Sequence, residues 1–140
     1  MQVMERKAKI DDLTSIAYRL AREGLRPDLA WNEGIRALYS PEKVQSQLQH
    51  TCPKWAFSIL CHRGFVTDVA GGGCPAAEGK RSANFVLKAR ELLLSEPSLG
   101  NRKPDLKRRV FGVKGSPGFR TPNDEIEVLL ALIQDGAVRL

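Results

Sequence analysis

Residue types that chemistry requires are sparse in this sequence, and the most suggestive run is Gly73-Cys74-Pro75-Ala76-Ala77-Glu78-Gly79-Lys80-Arg81-Ser82. A nucleotide-phosphate loop has the form G-x-x-x-x-G-K-S/T: backbone N–H groups cradle the phosphates, the lysine reaches the outer ones, and the hydroxyl ligates magnesium. Here five residues separate the glycines, Arg81 stands at the hydroxyl position, and Pro75 removes an amide. Those departures remove the nucleotide-loop reading. A weaker anion site survives them, because Lys80 and Arg81 precede a helix whose first amides can hold a phosphate or sulfate. Solvated loop charge accounts for the same pair.

Cys52, Cys61, His62 and Cys74 offer four sulfur or nitrogen ligands, the number a zinc tetrahedron needs. No short C-x2-4-C knuckle accompanies them, and neighbours such as Cys61 and His62 on one helix point about 100° apart. Nucleophilic catalysis needs a thiol or hydroxyl beside a base that a third group orients. The only histidines, His50 and His62, sit in no such motif. Cys52 opens a helix, where a thiol pKa can fall, although capping explains its place. The acid pairs Asp11-Asp12 and Asp124-Glu125 stand at expected helix starts, where carboxylates stabilise the dipole. We therefore assign no catalytic residue, metal or cofactor.

Charge is the remaining signal. The chain carries 22 Lys and Arg against 16 Asp and Glu, a formal net charge of +6. Between Asn101 and Arg120, Arg102, Lys103, Lys107, Arg108, Arg109, Lys114 and Arg120 face Asp105 alone, so this segment holds the whole excess. Clustered cations attract phosphate by displacing counterions, glycines at 112, 115 and 118 let backbone approach a ligand, and Phe111 and Phe119 could stack on bases. No helix-turn-helix, RNA-recognition or finger signature is present. Phe111 also reads as a core anchor.

These residues must be positioned by helices. Leu13, Ile16, Ala17 and Leu20 recur at three-and-four spacing, predicting an amphipathic helix over about 11–23 capped by Asp11 or Asp12. Residues 1–9 precede that face and are expected to be flexible. Leu29, Ala30, Trp31, Ile35 and Leu38 predict a second helix, weakened by Gly34. Ser40-Pro41-Glu42 opens a third with Val44 and Leu48 inward. Cys52-Pro53 opens a fourth, apolar on nearly all sides and so central. The stretch 65–69 could be extended, and a long Gly-rich loop is expected near 67–81. Phe85, Val86, Ala89, Leu92 and Leu93 predict a helix over 82–95, and 104–111 a short basic one. Thr121-Pro122-Asn123-Asp124 matches a capping box before a last helix through Ile126, Leu129, Leu130 and Ile133.

Three helices share a stop: Leu20…Gly24-Leu25, Leu60…Gly64-Phe65 and Leu132…Gly136-Ala137 each put glycine where the chain can turn left-handed, with apolar residues around it. The last two stops match further, through Val66 and Val138, which helix-ending grammar explains without a duplication.

At 140 residues the chain has the size of one domain, expected to span 1–140. The charged fraction of 27% and hydrophobic fraction of 42% are globular. The first residues carry no apolar run behind their charges, and no stretch approaches the roughly 18 apolar residues of a membrane span. Three cysteines, an odd number, read as reduced thiols. The expectation is a cytoplasmic protein with no membrane segment.

The run Cys52-Pro53-Lys54-Trp55-Ala56-Phe57-Ser58-Ile59-Leu60-Cys61, then Gly64, Asn84, and Asn123 through Leu132, resembles a family of small bacterial domains of unknown function. In that family a Cys-Pro-x-x-Ala-Phe-x-x-Leu-Cys segment and a C-terminal apolar helix recur. The resemblance spans about Leu13 to Val138 and, the family having no assigned activity, implies no catalytic residues.

The fold expected is a compact all-α domain of about six or seven helices, centred on Phe57 and Leu129. Two functions are compatible with it. One is a non-enzymatic interaction module binding nucleic acid or an acidic protein through the basic segment. The other is a small-ligand or phosphate binder, or an enzyme, with a site near the Gly71 to Ser82 loop and Cys61.

Overall fold

The computed structural model describes residues 2–138 and 140, and residues 2–9 in backbone only. Seven α-helices appear among them: α1 (Gln2–Arg22), α2 (Pro27–Leu38), α3 (Pro41–Gln49), α4 (Cys52–His62), α5 (Arg81–Ser95), α6 (Lys103–Phe111) and α7 (Glu125–Gln134). Short 3₁₀ turns occupy Pro75–Ala77 and Pro97–Asn101. The architecture is all-α, as the periodicity predicts.

Two helix starts differ from expectation. The backbone of α1 is helical from Gln2, so Asp11 and Asp12 lie within the helix and cap nothing. No glycine or proline interrupts residues 2–10, and long unbranched side chains there carry little helix penalty. The expected flexibility of 1–9 concerns residues outside the described side chains. At the other end, Thr121 is not the cap of α7: the helix begins at Glu125, after Asp124 at φ 69°. The Glu125 carboxylate instead turns back to accept the Asn123 backbone N–H at 2.6 Å. Glu125 is only 1% exposed, so its carboxylate holds the entry to α7 from inside the fold.

The helices bury the faces that their spacing prescribes. Leu13, Ala17 and Ala21 of α1 pack on α2 and α7. Gly34 has a use on α2, for a Cβ there would lie 2.8 Å from Leu13 Cδ1. The glycine costs helix propensity and lets the two helices approach. α4 is buried continuously from Ala56 to Cys61 and packs on α2, α5 and α7. Its Phe57 ring lies 5.6 Å from that of Trp31. Each such side chain contributes about 1.5–3 kcal/mol by leaving water. α3 has no buried residue; Val44 and Leu48 only edge the core.

All three glycine stops form the same pair of bonds. The N–H groups of Leu25, Phe65 and Ala137 reach the carbonyls of Leu20, Leu60 and Leu132 at 3.2, 3.0 and 2.8 Å, with Gly24, Gly64 and Gly136 at positive φ. After two of them the chain pairs: Val66 and Val138 form an isolated antiparallel bridge, and the Thr67 N–H reaches the Ala137 carbonyl at 2.7 Å. The two segments that resemble each other in sequence thus lie side by side, tying the end of α4 to the end of α7.

Candidate functional site

α6 is the helix that carries most of the basic segment. Leu106, Val110 and Phe111 form its buried stripe, and Phe111 stacks obliquely on Phe85 at 4.7 Å. Burying that stripe turns Arg102, Arg108 and Arg109 outward, where all three are exposed. With Asp105 and Val113 they line an open hollow of about 360 Å³. Val113 is 55% exposed, an apolar element among guanidinium groups.

The hollow is not a field of free cations. Arg102 donates to Glu96 at 2.6 Å and to Ser98 at 3.1 Å, and lies 3.3 Å from an Asp105 oxygen. Arg108 pairs with the other Asp105 oxygen, and Arg109 donates to Glu96 at 3.2 Å. Arg102 and Arg109 together hold the Glu96 carboxyl below its ordinary range, Arg102 contributing most. A guanidinium has five N–H donors, so each arginine retains donors beyond those bonds.

Lys103 and Lys107 are committed differently. Both ammonium groups contact the same oxygen of Glu127 on α7, at 3.0 and 2.7 Å. Burial alone would raise the Glu127 carboxyl; hydrogen bonds from Lys107 and Lys103 outweigh it and hold the carboxyl below its ordinary range. Its other oxygen, Oε1, is buried without a partner. Lys114 and Arg120 are exposed and form no ion pair among the described residues. Arg120 is brought beside the end of α6, its backbone N–H bonding to the Phe111 carbonyl at 2.9 Å. Gly112, at φ 93°, permits this return: a Cβ there would meet Phe119 Cα at 3.4 Å.

Sequence reasoning missed Glu96 and Glu127, the carboxylates that answer four of these cations, Arg102 and Arg109 by the first and Lys103 and Lys107 by the second. Glu96 lies a few residues ahead of α6 and could have been suspected from proximity. Glu127 is far along the chain and had no local signal.

The second expected region is organised around His62. Its Nδ1 accepts the Cys74 backbone N–H at 3.1 Å, which leaves the proton on Nε2, 3.6 Å from Glu78. The ring thus anchors the loop after α4, and Gly72 adds a bond to the His62 carbonyl at 2.8 Å. Arg63 and Glu78 form a two-bond fork at 2.6 and 2.9 Å. Cys61 is wholly buried, and burial pushes its thiol far above the ordinary range. Burial also raises Cys74, helped by nearby Asp28 and opposed by Ser58. Buried thiols of raised pKa are poor nucleophiles.

Lys80 and Arg81 stand at the start of α5, as expected. Lys80 Nζ lies 4.9 Å from the Trp55 ring, with Lys54 4.7 Å from the same ring, and Arg81 lies 5.5 Å from the Phe85 ring. Trp55 is a residue that sequence reasoning placed only in the core. Among the described residues, no group of three or more His, Cys, Asp or Glu is disposed to hold a metal, and no helix is long and apolar enough to cross a membrane.

Fold and surface together define a compact all-α domain with a mixed-charge, arginine-lined hollow on α6. The chain belongs to a family of unknown function, DUF6979, whose model matches residues 8–139. The resemblance read from the sequence holds at that level. No curated protein and no solved structure matches the chain.

Proposed function

We propose that this protein is a non-enzymatic interaction module that binds a polyanionic partner, nucleic acid or an acidic protein, through its basic segment. Arg102, Arg108 and Arg109 are the core of the surface, with Lys103, Lys107, Lys114 and Arg120 contributing around them. The observation that carries the reading is the convergence of three exposed arginines on one hollow. Guanidinium forks match carboxylate and phosphate geometry. Reversing Arg108 and Arg109 to Glu should abolish retention on heparin at low salt while the helical circular-dichroism signal persists. Unchanged retention would overturn the reading.

A second reading, a small phosphate site at Lys80 and Arg81, is favoured by one observation: Lys54 and Lys80 share the Trp55 ring at the start of α5. Inorganic phosphate should then raise the melting temperature of the wild-type chain and leave Lys80→Ala unaffected. No shift for the wild type removes this reading.

A further inference from the structure

We infer that the occupant of the α6 hollow is an acidic protein segment carrying an apolar side chain among its carboxylates, and not nucleic acid. This rests on the polyanion reading above and narrows it.

Three observations point the same way. First, the hollow contains its own carboxylates: Asp105 lines it, and Glu96 is bound to Arg102 and Arg109 at its edge. A nucleic-acid backbone brings dense, regular negative charge, which these acids repel. A peptide can space its carboxylates to meet the unused edges of Arg108 and Arg109 and avoid Asp105. Second, the stacking surface that single strands need is withdrawn. Phe111 is 2% exposed and packed on Phe85, while Phe119 is half-buried against the core. Third, Val113 is exposed in the lining itself. An apolar group beside arginines contributes nothing to phosphate binding and offers a contact to Leu or Ile.

The internal acids also have a positive use. Asp105 and Glu96 hold the three guanidinium groups in place before a partner arrives, so less side-chain freedom is lost on binding.

The test uses the full chain and three labelled probes in one low-salt buffer, read by fluorescence anisotropy. They are an acidic peptide with Leu among its Glu residues, a charge-matched peptide with Ser for Leu, and oligothymidylate. The Leu peptide should bind about tenfold more tightly than the Ser peptide, and more tightly than oligothymidylate. Val113→Ser should erase the preference for Leu while heparin retention stays unchanged. Equal binding of the two peptides, tighter binding of oligothymidylate, or an undiminished preference in Val113→Ser overturns the inference and leaves the polyanion reading standing. Absence of heparin retention by the wild type overturns both.

Discussion

Replacing Glu127 by Gln tests how the fold handles its basic segment. The Glu127 side chain is 14% exposed, and its partners Lys103 and Lys107 are 46% and 31% exposed. The pair of contacts therefore lies between two limits: about 0.2–1 kcal/mol for an exposed ion pair, and about 3–5 kcal/mol for breaking a buried one. The lysines remain within reach of water, and Gln keeps the shape and one acceptor oxygen. We expect a loss of about 1–2 kcal/mol at neutral pH, or about 3–6 °C in melting temperature for a chain of this size. The sign of its pH dependence follows from the carboxyl being held below its ordinary value of 4.5. A depressed carboxyl contributes stability above its unfolded pKa and loses it as pH falls through the folded one. The difference between wild type and variant should therefore be full at neutral pH and shrink below about pH 4.5. Thermal unfolding followed by circular dichroism at neutral pH and at about pH 3 measures both. A difference that is unchanged or larger in acid refutes the reasoning. The variant also releases two ammonium groups, so heparin elution should move to higher salt.

Gly64→Ala and Gly136→Ala should each cost about 1–2 kcal/mol in urea unfolding, through positive φ alone, since nothing lies within 4 Å of either added Cβ; an unshifted midpoint would show that these stops tolerate side chains. Phe57→Ala, at a wholly buried site, should cost about 3–5 kcal/mol, and a loss below about 1 kcal/mol would remove α4 from the centre of the core. In the native protein a thiol reagent should label Cys52 promptly and leave Cys61 and Cys74 until unfolding, because the latter two are buried. Prompt labelling of Cys74 would revive the reading of a site near the Gly71 to Ser82 loop.

Helix interiors and stops were legible because both are local. Leu60, Gly64 and Phe65 specify their turn within one stretch of chain, and the same grammar recurs at Gly24 and Gly136. Helix starts were less legible. A cap signature at Thr121 competes with any other arrangement that satisfies the first amides, and here Glu125 bends back to the Asn123 N–H instead. Asp11 and Asp12 misled for a related reason: carboxylates favour a helix start, but they do not create one where no breaker precedes them. In the sequence His62 stands out only as a candidate zinc ligand or base. Its role as acceptor for the Cys74 N–H depends on how the following loop folds back, which residue types alone do not encode.

The basic segment shows why a charge run is a weak guide to a binding field. Along the chain, Arg102 through Arg120 meet one acid; in space, two more reach them, Glu96 from the turn before α6 and Glu127 from α7. Charges separated by more than a Debye length, about 8–10 Å, are screened, so what a partner meets close by is this partly neutralised set and not the sequence total. Long-range attraction is thereby reduced, and selectivity must come from short-range features: guanidinium edges that Asp105 and Glu96 leave free, and Val113 beside them. On the proposed reading, a surface built in this way would discriminate by the spacing of a partner's charges. That property suits a protein segment better than a uniform phosphate chain.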